Sequence, residues 1–138
     1  MNSIQKEIII GKKVEITKSS FVNEEIASSA EVKFTCCQCS HLNSVIIKPY
    51  ESGFPIFQLY HENRVLSRNE LLKNDMARKT SYHMLHLGEI TVNDLPTLYL
   101  STDCKNCSEK YLVIFSYGEK QPGLEILQLS GIWNYTLK

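Results

Sequence analysis

The chain has 138 residues, 43% of them hydrophobic, and 15 Lys+Arg balance 15 Asp+Glu for a formal net charge of zero. That length fits a single domain spanning residues 1–138, and the apolar share excludes wholesale disorder. Neutrality excludes the overall basic excess of proteins that grip nucleic-acid phosphates and leaves only a local basic face open to that role.

Near the amino terminus, Ile8, Ile9 and Ile10 form an apolar run too short for the core of a secretory signal. No stretch approaches the roughly 18 apolar residues that would cross a bilayer. Five cysteines, an odd number, then point to a reducing, cytoplasmic setting rather than a disulfide-stapled scaffold. Residues 4–10 and 13–17 flank Gly11 and Lys12 and predict a hairpin, with Val14 and Ile16 alternating against polar neighbours. Residues 31–35 alternate into a first cysteine cluster, and residues 42–48, carrying Val45, Ile46 and Ile47, lead out of it.

Ser67-Arg68-Asn69-Glu70 matches a capping box and predicts a helix with Leu71, Leu72 and Met76 on one face, fading near Arg78 and Lys79. Residues 82–87 and 89–92 read as extended around Gly88, and Asn93, Asp94 and Pro96 supply a turn. A strand over residues 97–100 enters a second cysteine cluster, and residues 110–117 leave it, rich in Tyr, Val, Ile and Phe. The turn Gln121-Pro122-Gly123 precedes a strand over 124–129, and residues 132–135 close the sheet. The expected fold class is α+β and β-rich: antiparallel sheets of eight or nine strands, with one or two short helices.

The chemistry concentrates in the cysteines. Cys36-Cys37-Gln38-Cys39 and Cys104-Lys105-Asn106-Cys107 each contain C-x-x-C, 64 residues apart, each at the tip of a predicted hairpin. Two such pairs supply four thiolates, enough to close a tetrahedral Zn²⁺ site with Zn–S bonds of about 2.3 Å. Cys36, Cys39, Cys104 and Cys107 are the expected ligands of one structural zinc per chain. Cys37 is left as a free thiol, because ligation through Cys37 and Cys39 needs a one-residue spacer. His41 is the substitute ligand if Cys39 is not used. Competing readings are thiol–disulfide chemistry, a sensor that gains and loses zinc, and plain buried cysteines. A redox C-x-x-C normally opens a helix after a strand, and neither pair does. Four thiolates around one Zn²⁺ carry −2 where the formal count enters four neutral thiols, so the loaded chain is slightly acidic. Loss of Cys36 or Cys107 is expected to cripple folding.

Two knuckles at two hairpin tips resemble the zinc-ribbon group. The resemblance covers residues 32–48 and 97–117, with the span between the knuckles as a long insertion in place of the usual spacer of about 15–20 residues. It implies a single zinc-stabilised domain.

Other residues point less directly to chemistry. His83 and His86 in an extended segment would project to opposite faces, and His61 precedes Glu62. No nucleophile elbow, phosphate-cradling glycine loop or H-E-x-x-H occurs, and no catalytic residue is assigned. Arg64, Arg68, Lys73, Arg78 and Lys79 are interrupted by Glu62, Glu70 and Asp75, the pattern of a solvated helix face. Phe54, Phe57 and Tyr60 read as core, and Trp133 and Tyr135 as partly exposed. The expected function is a non-catalytic, zinc-stabilised protein-binding module with a protein partner and no membrane association. The alternative is a zinc-ribbon nucleic-acid-binding accessory. The twin knuckles and the Gly118-Glu119-Lys120-Gln121-Pro122-Gly123 turn also resemble small bacterial immunity proteins. That resemblance implies steric blockade of a cognate toxin, with Glu24, Glu25 and Glu31 as the start of an acidic patch.

Overall fold

A computed structural model describes residues 2–26 and 28–138. Its ten strands are β1 (Ile8–Lys13), β2 (Ser20–Val22), β3 (Ala30–Thr35), β4 (Leu42–Ile47), β5 (Phe54–Pro55), β6 (Arg78–Lys79), β7 (Ile90–Thr91), β8 (Thr97–Asp103), β9 (Lys110–Gln121) and β10 (Leu124–Leu137). Two short helices, α1 (Phe57–Tyr60) and α2 (Arg68–Lys73), lie between β5 and β6. The fold is β-rich and antiparallel, as expected. A six-stranded sheet runs β1-β10-β9-β8-β5, with β2 also on β10, while β3–β4 and β6–β7 are separate two-stranded ribbons. No described helix is long and apolar enough to cross a membrane.

Strand β9 explains the layering. Tyr111, Val113, Phe115 and Tyr117 face one way, into a core with Val32, Phe34, Val45 and Ile47 of the β3–β4 hairpin. Leu112 and Ile114 face the other way, into a core with Leu59, Val65, Leu66, Leu71 and Met76 from the helical segment. A strand buried on both faces cannot alternate apolar with polar, which is why residues 111–115 read as a continuous apolar run.

Strand β10 serves both cores through an irregularity. Its register against β9 shifts between Leu129 and Gly131. One extra residue inverts the side-chain parity, so Leu127, Leu129 and Ile132 enter the first core while Trp133 and Tyr135 enter the second. Trp133 and Tyr135 are therefore buried, against the expectation of partial exposure. The sequence splits this strand in two at Ser130-Gly131, whereas the ladder runs on through it.

Four further expectations are corrected. Residues 4–17 form no hairpin: β1 continues through Gly11 with a register shift between Ile10 and Lys13 and pairs with β10 from Ile8↔Leu137 to Lys13↔Trp133. A Cβ at Gly11 would collide with the Asn134 side chain, whose Oδ1 accepts the Lys12 amide. Residues 82–87 form a 3-10 turn rather than a strand, closed by Gly88 at φ 122°. Phe57 is 51% exposed and Phe54 half-buried, so of that aromatic trio only Tyr60 is fully core. Helix α2 begins where the sequence places it, with Ser67 Oγ accepting the Glu70 amide at 3.1 Å. It ends at Lys73, short of Arg78, because the chain turns through Asp75 at φ 56°. Leu71 and Met76 are buried all the same.

Candidate metal centre

The ladder register carries Cys36 to the end of β3 and Cys104 to the end of β8, so both pairs sit at hairpin tips. The two knuckles are built alike. The Cys36 amide donates to the His41 carbonyl at 2.9 Å and the Cys104 amide to the Glu109 carbonyl at 2.8 Å. The amides of Ser40 and Ser108 then donate back to the carbonyls of Cys36 and Cys104, at 3.0 and 2.9 Å. Both serines adopt the left-handed conformation, φ 62° and 65°. A Cys-Ser step with serine at a tight left-handed position therefore occurs in each knuckle, a repeat already visible in the sequence.

The tips meet over the first core. The sulfurs of Cys36, Cys39, Cys104 and Cys107 all lie within 4.8 Å of one another. Cys36 Sγ is 3.5 Å from Cys107 Sγ, and Cys39 Sγ is 3.6 Å from Cys104 Sγ. These separations are far above a disulfide bond of about 2.05 Å. They approach the edge of about 3.8 Å in a tetrahedron with metal–sulfur bonds of about 2.3 Å. All four predicted site residues are thus brought together, and they could hold a metal ion. Among the described residues this is the one group of three or more His, Cys, Asp or Glu side chains arranged in that way.

Two further side chains, absent from the sequence reading of the site, hold the sulfurs in place. Asn43, seven residues after Cys36, reaches across to the other knuckle: its Nδ2 donates to Cys104 Sγ at 3.3 Å and its Oδ1 accepts the Lys105 amide at 3.0 Å. Tyr111, seven residues after Cys104, reaches the opposite way. Its hydroxyl donates to Cys36 Sγ at 3.1 Å and accepts the Cys37 amide at 2.9 Å. Each hairpin thus sends a buried polar side chain to the first cysteine of its partner and to the amide that follows it. The shared offset of seven is the sequence signal, and it gains meaning only once the two knuckles are known to face each other.

The electrostatics follow from the packing. Burial pushes the Cys36 thiol up, but the Tyr111 hydroxyl and the amides of Cys39 and Gln38 outweigh it and leave the group below its ordinary value. Burial acts on Cys104 in the same sense, and the Cys107 amide, the Asn43 side chain and the Asn106 amide overcome it, bringing the thiol down to about 6. For Cys107 the Glu109 contact favours the thiolate, yet desolvation and the three neighbouring sulfurs prevail and push it up to about 12. Four thiolates this close repel one another, and a cation among them would remove that repulsion.

The other candidates stand apart. Cys37 is exposed and outside the cluster. The His41 ring is exposed and outside it too, and its backbone carbonyl supports Cys36 instead. His83 and His86 share the 3-10 turn, which places residues three apart on one face and not on opposite faces, and both are exposed. The chain matches no family model, and no curated protein or solved structure is significantly similar to it.

Proposed function

We propose that the protein is a non-catalytic protein-binding module whose two hairpins are locked together by one structural zinc. The observation that carries this reading is the four-sulfur cluster between the braced tips. Four sulfurs complete a tetrahedral coordination shell and leave no position for a reacting water or substrate. Zinc is the ion we assign, since an all-thiolate tetrahedral donor set suits it, with iron as the competing occupant.

A protein partner is favoured over nucleic acid by the surface charges. Lys18, Lys33, Arg64, Arg68, Arg78 and Lys138 each face a carboxylate, of Glu25, Glu31, Glu62, Glu89, Asp75 and Glu7 respectively. These six of the fifteen Lys and Arg side chains are poorly placed to collect phosphates, and the zero net charge leaves the others without an overall basic excess. The narrower reading is an immunity protein that covers a toxin's active cleft. Of Glu24, Glu25 and Glu31, offered by the sequence as the start of an acidic patch, Glu25 and Glu31 each have a lysine beside them, which weakens the case for a toxin that needs an acidic plug.

Metal analysis of the purified chain should find one zinc. Cys36→Ser and Cys104→Ser should lose it, while Cys37→Ser keeps it. A metal-free, cooperatively folded protein would overturn the reading, and an iron chromophore would replace the ion. Salt-dependent binding to random DNA or RNA would transfer support to the nucleic-acid alternative. Growth rescue on co-expression with a toxin encoded beside its gene would establish the narrower role.

A further inference from the structure

The β3–β4 hairpin has one covered edge and one open edge. On the β3 side, the Thr17 amide donates to the Lys33 carbonyl at 3.1 Å and the Thr35 amide to the Glu15 carbonyl at 3.4 Å, so residues 15–17 shield that strand. The β4 side carries no such cover. The Cys36 amide bonds to His41, and the register continues through Phe34↔Asn43, Val32↔Val45 and Ala30↔Ile47. Because antiparallel pairs alternate, these residues direct their backbone groups inward, and Leu42, Ser44 and Ile46 direct theirs outward. No other described segment bonds to those outward amides and carbonyls.

Open edges in folded proteins are normally guarded by a charged side chain, a proline or a bulge. The segment Leu42-Asn43-Ser44-Val45-Ile46-Ile47 has no charge and no proline, and its register is unbroken. Leu42 is 55% exposed and Ile46 38% exposed. An uncharged, β-branched run of this kind on an open edge is a template for another strand.

We propose that the strand added there belongs to a second copy of this chain, with β4 antiparallel to its counterpart about a two-fold axis at Ser44. The segment is self-complementary in that register. Leu42 falls opposite Ile46, Ser44 opposite Ser44, and Ile46 opposite Leu42, so both flanking pairs are apolar and no charge meets its like. Lys33 and its copy would be separated by three strand spacings, about 14 Å, beyond the Debye length at physiological salt. The far edge of the resulting four-stranded ribbon is covered by residues 15–17 at Lys33 and Thr35 and carries the charged side chains of Glu31 and Lys33, so it offers a third copy no equivalent template. The contact is isologous, and every substitution in it acts twice. This inference stands apart from the proposed function, since it depends on the hairpin edge and not on the ion or on any foreign partner.

Sedimentation equilibrium of the full metal-loaded chain, from low to high micromolar concentration, should show a monomer–dimer equilibrium. Leu42→Lys and Ile46→Lys alter exposed side chains, so each should keep its metal and its melting behaviour while dimerisation weakens by about tenfold or more. Residue-resolved amide exchange gives a second readout. The Leu42, Ser44 and Ile46 amides should become protected as concentration rises, while those of Asn43, Val45 and Ile47 are protected throughout. A chain that stays monomeric with those three amides unprotected overturns the proposal. So does a dimer indifferent to both substitutions, or protection that appears only when a foreign strand is added.

Discussion

Asn43 and Tyr111 each donate to a sulfur while accepting an amide, a combination that fixes both the charge and the position of Cys104 and Cys36. Removing such a partner from a ligand typically lowers metal affinity by about 10–100-fold. Asn43→Ala and Tyr111→Phe should therefore bind the ion less tightly by that order in a chelator competition, with the fold retained at saturating metal. Equal affinities would show that the sulfurs need no help. Asp94 carries a different kind of residue-scale prediction. The Ser81 hydroxyl and amide both donate to its carboxylate, at 2.6 and 2.8 Å, and hold it below the ordinary aspartate value. A depressed folded value means the stabilisation is fully present above the unfolded pKa of about 3.9 and is lost as pH falls through the folded one. The melting-temperature gap between the wild type and Asp94→Asn should therefore be constant from pH 7 to pH 5 and narrow below about pH 4.

At the scale of elements, α2 has six residues and leans on its cap. Ser67→Ala removes the acceptor for the Glu70 amide, and a loss of about 1 kcal/mol in denaturant unfolding is expected. This cap was readable because Ser and Glu three residues apart act locally. The knuckles were readable for the same reason, since C-x-x-C fixes its own turn. The failures involve partners distant in sequence. Gly11 looked like a turn between residues 4–10 and 13–17, but what selects it is the close approach of Asn134, more than a hundred residues away. Residues 82–87 carry apolar side chains in strand-like variety, yet Tyr82 is 90% and Leu85 50% exposed, so no core face is there to enforce an extended chain. The parity change in β10 is set by the bulge between Leu129 and Gly131, and a sequence period of two cannot announce its own interruption.

Across the whole molecule, β9 is the shared wall between two cores, and only one of them touches the cysteines. Chelation should accordingly loosen the two sides unequally. Amides of β3 and β4 should lose exchange protection first. The single tryptophan, Trp133, sits in the core away from the cysteines and should keep the emission of a buried indole. Simultaneous exposure of Trp133 and the β3–β4 amides would mean that the ion supports both cores at once. The severe folding defect expected from loss of Cys36 or Cys107 is thereby refined to a defect that begins on one face of the sheet.

The spacing of the knuckles also has a bearing on how the chain is made. Cys36 and Cys39 leave the ribosome well before Cys104 and Cys107, with 64 residues still to be translated between them. At about 5–20 residues per second this is an interval of roughly 3–13 s. Throughout it, the first knuckle is a nascent loop of three thiols, Cys36, Cys37 and Cys39, open to scavenging by other metals and oxidants and lacking the side chain of Tyr111 that later shelters it. Metal supply during synthesis, alongside affinity at equilibrium, would then bear on how much of the chain reaches a loaded form.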